Sequence, residues 1–87
     1  MPRFIVTHDM TNCTHEQLLD CTRRLAGSVP PNTDWLQSWW IVEKNKLMCE
    51  WIAETADAVR ASLEPAGDLI PIESIYEVQL INPKWFA

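Results

Sequence analysis

Trp35-Leu36-Gln37-Ser38-Trp39-Trp40-Ile41-Val42-Glu43, then Lys44-Asn45-Lys46, then Leu47-Met48-Cys49-Glu50-Trp51-Ile52-Ala53: two apolar runs of strand length around a short polar break read as an antiparallel hairpin. Asn45 supplies the left-handed residue that a tight turn needs. In the first run Leu36, Trp40 and Val42 fall on one side and Trp35, Trp39 and Ile41 on the other, so both sides are apolar. Adjacent strand residues point to opposite faces, which sends one ring of the Trp39-Trp40 pair toward a core and the other toward an interface. In the second run Cys49 alternates with Leu47 and Trp51 and reads as a small core residue, while Glu50 shares the face of Met48 and Ile52. A strand that is apolar on both faces has to be covered on both.

Working outward, Thr14-His15-Glu16-Gln17 has the capping-box form and opens a helix. Its stripe of Leu18, Cys21, Thr22 and Leu25 keeps helical spacing, Asp20 can pair with Arg23 and Arg24 on the outer side, and Gly27 supplies the stop. Before it, Arg3 to His8 alternates Phe4, Val6 and His8 against Ile5 and Thr7, a first strand. After the hairpin, Thr55 caps a second helix carrying Ala56, Val59, Arg60 and Leu63, which Pro65 and Gly67 end. Ser74 to Ile81 is the last strand, with Tyr76, Val78 and Leu80 opposite Ile75, Glu77, Gln79 and Ile81. The order βαββαβ with right-handed crossovers gives a ferredoxin-like α+β fold. Its four-stranded antiparallel sheet runs in the spatial order 4-1-3-2, with both helices on one face. Residues 1–87 are expected to form one domain, and the sheet's other face to pack on a second copy in a dimeric α/β-barrel-type assembly.

Composition narrows the function classes. A chain of this length buries only about 60 to 65 per cent of its unfolded surface, so five tryptophans exceed what one small sheet can hide and some belong at an interface or pocket. A net charge of −5 without a basic stripe argues against nucleic acid and anionic membrane as partners. No apolar run approaches membrane-spanning length, and Met1-Pro2-Arg3 leads directly into a strand rather than a secretory signal, so a cytoplasmic location is expected. Three cysteines without paired spacing fit a reducing compartment. No Gly-rich phosphate loop, Cys-x-x-Cys pair or hydrolase triad is present, which leaves nucleotide, iron–sulfur and serine-hydrolase roles unsupported.

Met1-Pro2-Arg3-Phe4-Ile5-Val6-Thr7-His8, Leu47-Met48-Cys49-Glu50-Trp51, Ala56-Asp57-Ala58-Val59-Arg60, and Ile75-Tyr76-Glu77-Val78 with Asn82-Pro83-Lys84-Trp85-Phe86 together resemble a family of small bacterial ferredoxin-like proteins, some of them named nickel-binding proteins. The resemblance covers nearly the whole chain and implies a homo-oligomeric binding protein with affinity for a transition metal such as nickel. A broader likeness to dimeric α/β-barrel proteins, among them cofactor-free monooxygenases and small isomerases, rests on fold analogy alone.

Two residue sets carry candidate chemistry. His8, Cys13 and His15 gather at one end of the sheet and offer two imidazoles and a thiol to nickel, zinc or copper; against this, His8 shares its face with Phe4 and Val6 and suits a hydrogen-bonded core histidine. Cys13 beside a helix N-terminus sits where a thiol pKa is lowered, yet no orienting carboxylate or oxyanion donor accompanies it by spacing, and no catalytic residue is assigned. The second set is a ligand pocket between sheet and helices, with Glu50 as a pocket acid of raised pKa, Trp40 and Tyr76 as walls, and His8 nearby, as in a cofactor-free enzyme or small-ligand carrier. The competing reading is that Glu50 bonds a side chain of a neighbouring strand. Trp85 and Phe86 are expected to be anchored across a neighbouring subunit, because exposed rings are costly in water.

Overall fold

A computed structural model describes residues 1–86. The elements follow the expected order: β1 (Arg3–Asp9), α1 (His15–Ala26), β2 (Asp34–Ile41), β3 (Lys46–Ile52), α2 (Ala56–Leu63) and β4 (Ile72–Val78). The sheet runs β2-β3-β1-β4, with every pairing antiparallel. Both crossovers put their helices on one face. There Phe4, Val6, Leu47, Cys49 and Trp51 of the central strands join Cys21 and Leu25 of α1 and Val59 and Leu63 of α2 in one buried cluster.

Local chemistry sets the element ends. Thr14 accepts from the backbone N–H of Gln17 while the Gln17 side chain accepts from the Thr14 N–H, a complete capping box. Thr55 caps α2 in the same way, accepting from the Ala58 N–H. Asp20 pairs with Arg23 one turn on, at 3.0 Å. Asn45 takes the left-handed conformation (φ 51°) and turns the chain from a short 3-10 segment, Val42–Lys44, into β3.

Two departures from strict alternation matter. The β2–β3 register shifts between Trp35 and Gln37, so Leu36 bulges without a partner. Beyond the bulge the side-chain phase inverts: Trp35 pairs with Trp51 and Trp40 with Leu47 on the helix side, while Trp39 pairs with Met48 on the open side. Trp35 and Trp40 therefore share a face, where alternation alone had set them apart, and Val42 leaves the strand for the turn. The expected division of Trp39 from Trp40 holds. At the other edge, a 3-10 stretch, Glu64–Leu69, prolongs α2 past Pro65, and Gly67 sits at φ 55°. β4 begins at Ile72 and ends at Val78, earlier at both ends than the expected 74–81.

Candidate functional site

The uncovered face of the sheet is a grid in which strand pairing aligns side chains in rows: Val78, Arg3 and Ile52; Tyr76, Ile5, Glu50 and Gln37; Ser74, Thr7, Met48 and Trp39. Apolar and polar side chains share it about equally, with Tyr76 62 % and Trp39 42 % exposed and Asp34 ending the row of Ile52 at the β2 edge. Most of the polar groups among them are paired with one another. Glu50 accepts from Arg3 Nη1 and from Gln37 Nε2 (2.8 Å), Thr7 and Ser74 join hydroxyls, and Lys46 donates to Glu73. The centre of the face, whose polar side chains already hold partners, is cheaper to dehydrate than unpaired polar groups would be, while Asp34 stays exposed at the β2 edge.

Glu50 does not behave as an acid in an apolar pocket. The hydrogen bond from Gln37, with the Arg3 bond and charge beside it, holds its carboxyl below the usual carboxylate range against the opposing effect of burial. It is a neighbour-bonded carboxylate on the open face. Tyr76 shares that face, whereas His8 and Trp40 lie on the helix side. The four residues expected to line one pocket between sheet and helices are thus divided by the sheet itself. Open clefts of about 310 and 330 Å³ lie elsewhere, one between the 30–33 loop and Glu54, Ala58 and Ala61, the other beside Arg60, Gly67 and Ile72.

The expected metal set is divided as well. His8 is fully buried; its Nδ1 lies 3.3 Å from the Ile70 carbonyl oxygen, and its Nε2 is buried without a partner. Cys13 is buried too, with its thiol directed at the Thr14 carbonyl, and burial raises its pKa in spite of the adjacent helix N-terminus. A reactive thiolate is not what this position holds. Cys21 is likewise a core thiol, and the Cys49 thiol is pushed up to about 11 by burial, with Ser38 as hydrogen-bond partner at 2.9 Å. His15 alone of the three is exposed, stacked on Trp40 with ring centroids 5.4 Å apart. Among the described residues, no three His, Cys, Asp or Glu side chains gather closely enough to hold an ion. No local signal in the sequence announces the Arg3–Glu50–Gln37 cluster, since its members come from three strands.

His8 has a consequence for acid stability. Burial lowers its pKa below 6.5, partly offset by the Ile70 and Pro71 carbonyls and the Glu73 charge. The unfolded chain therefore takes up this proton at a higher pH than the folded one. The His8 contribution is intact above pH 6.5 and is lost as pH falls below that value and through the folded-state pKa. Thermal melts between pH 7.5 and 5 are expected to show a falling Tm, with a shallower slope in His8→Leu; equal slopes in the two proteins contradict this account.

A four-stranded antiparallel sheet backed by two helices on one side and uncovered on the other defines a small α+β protein of ferredoxin-like type. The family model described as nickel responsive protein SCO4226-like matches residues 4–78, and the chain belongs to that family. The crystal structure of SCO4226 from Streptomyces coelicolor A3(2) superposes with a TM-score of 0.75 at 24 % identity, over 92 % of this chain and 99 % of that one, and shares the fold. No curated protein matches. No helix among the described residues is long and apolar enough to cross a membrane.

Proposed function

We propose that the protein is a homo-oligomeric binding protein that takes up a transition metal ion, nickel in the first place, with two copies meeting through their open sheet faces. The observation that carries the assembly is the open face, where Arg3, Glu50, Gln37, Thr7 and Ser74 bond one another and the Tyr76 and Trp39 rings stand exposed beside half-buried aliphatics. The metal half rests on membership of a nickel-responsive family and on an elimination. The chain has two histidines and His8 is buried with one nitrogen engaged, so imidazole ligation falls to His15. Stacking on Trp40 occupies the flat of that ring and leaves the in-plane lone pair of its unprotonated nitrogen open, and imidazole suits Ni(II). Trp40 holds His15 on the helix side, away from the copy across the open face, and the described residues gather no three-ligand group, so the remaining ligands are water. A cytoplasmic location, with no nucleic acid or membrane partner, completes the proposal.

Equilibrium dialysis against nickel, on protein carrying no histidine tag, tests it. Nickel is expected to be retained at micromolar free metal, with affinity about tenfold or more weaker in His15→Ala and unchanged in Cys13→Ser. Absence of retained nickel, or equal affinity in His15→Ala, removes the metal half and leaves the assembly untouched.

A further inference from the structure

The segment that follows β4 carries the densest group of exposed apolar side chains in the described chain: Leu80 is 48 %, Ile81 70 %, Trp85 63 % and Phe86 78 % exposed. It is nevertheless ordered by its own bonds. The Trp85 N–H donates to the Asn82 carbonyl and the Lys84 N–H to Asn82 Oδ1, each at 3.0 Å, and Pro83 opens a 3-10 turn through Phe86. Rings presented on a preformed turn forfeit less conformational freedom on docking than rings on a loose chain. Contact with water at this scale is what a solitary chain is expected to avoid.

We propose that residues 79–86 form an arm that packs against a second copy of this chain, completing the interface begun by the open sheet face. The inference rests on the homo-oligomeric reading and adds to it a defined segment. Size is the first argument. Four strands of about seven residues, at ~4.8 Å spacing and ~3.3 Å rise, give a footprint of roughly 440 Å². A stable complex buries roughly 800 Å² per partner. A flat footprint is smaller than the accessible area of the side chains standing on it, so the sheet makes a modest interface, and two large rings of about 150–250 Å² each enlarge it substantially.

Position and charge agree with size. The arm leaves the sheet at Val78, which stands in the row of Arg3 and Ile52 at the margin of the uncovered face. It carries Lys84 and no acid, whereas the whole chain stands at −5, so the body of a second copy attracts it. The same negative charge disfavours an anionic lipid surface as the occupant.

Sedimentation equilibrium of the full chain against the double variant Trp85→Ala/Phe86→Ala reads the proposal directly. Loss of two interfacial rings is expected to raise the dissociation constant by about thirtyfold or more with an unchanged circular dichroism spectrum. A variant that associates as tightly as the parent overturns the arm while leaving the sheet-face dimer standing; a parent that stays monomeric to millimolar concentration overturns both. Should the variant fail to fold, 5-fluorotryptophan labelling of the parent decides. The fluorine line assigned to Trp85 by its absence in Trp85→Phe is expected to shift as the dimer is diluted apart, and a line that does not move across that dilution sinks the arm.

Discussion

Replacing Trp51 by Ala is expected to cost about 3–5 kcal/mol, most of the stability a domain of this size holds. Trp51 is fully buried in β3, pairs with Phe4 of β1 and Trp35 of β2, and lies parallel to the Trp35 ring with centroids 5.7 Å apart and planes 8° from parallel. Removing it empties the middle of the helix-facing layer and takes away the surface on which Trp35, itself only half-buried, rests. Trp51→Phe separates packing from polarity. The Trp51 indole N–H is buried without an acceptor, so Phe discards an uncompensated donor along with part of the ring, and a loss of about 1 kcal/mol is expected. Urea unfolding of the three proteins measures this. If Trp51→Ala and Trp51→Phe are destabilised equally, the orphaned donor is held by something other than packing, and the account of the core is wrong.

The order of elements was legible because their signals are local: two capping threonines, a left-handed Asn45, and apolar residues at helical or alternating spacing. The two helix stripes and the strand order 4-1-3-2 follow from them. What escaped was set by distance or by a one-residue slip. The bulge at Leu36 has no composition cue, yet it decides that Trp35 and Trp40 share a face. Pro65 and Gly67 read as a simple helix stop, whereas a 3-10 stretch runs through them, and β4 starts at Ile72 where alternation alone points to Ser74. For the candidate site the limit is sharper. Arg3 and Glu50 lie 47 positions apart and meet because β1 and β3 pair in one particular register. Reading Glu50 as the partner of a neighbouring strand's side chain was possible from its half-apolar surroundings; naming Arg3 and Gln37 was not. Cys13 shows the opposite failure, where a local rule about helix N-termini gave a direction for its pKa that burial reverses.

The Arg3–Glu50 pair supplies the sharpest test of whether the open face is wet. Its side chains are 25 % and 10 % exposed in a single chain, a setting in which Glu50→Ala lets Arg3 turn to water and costs about 1 kcal/mol or less. Beneath a second copy the same substitution strands a guanidinium out of solvent, and the cost rises to about 3–5 kcal/mol, felt as dissociation as well as unfolding. The double variant Arg3→Met/Glu50→Leu removes both charges while keeping volume, and is expected to recover most or all of that loss, because a buried ion pair barely repays its own desolvation. Gln37 then keeps an amide at the rim, where water reaches it. Acid provides an independent check with the opposite chemistry. The Glu50 carboxyl is held below 4.5, so its contribution is present above that pH and is lost as pH falls through the folded-state value, and the assembly should come apart there together with the fold. Denaturation measured across a hundredfold range of protein concentration, about enough to move the midpoint of a dimer by a resolvable amount, separates the cases. A small, concentration-independent effect of Glu50→Ala means that water already bathes the face, and the proposed meeting of two sheets would have to be abandoned.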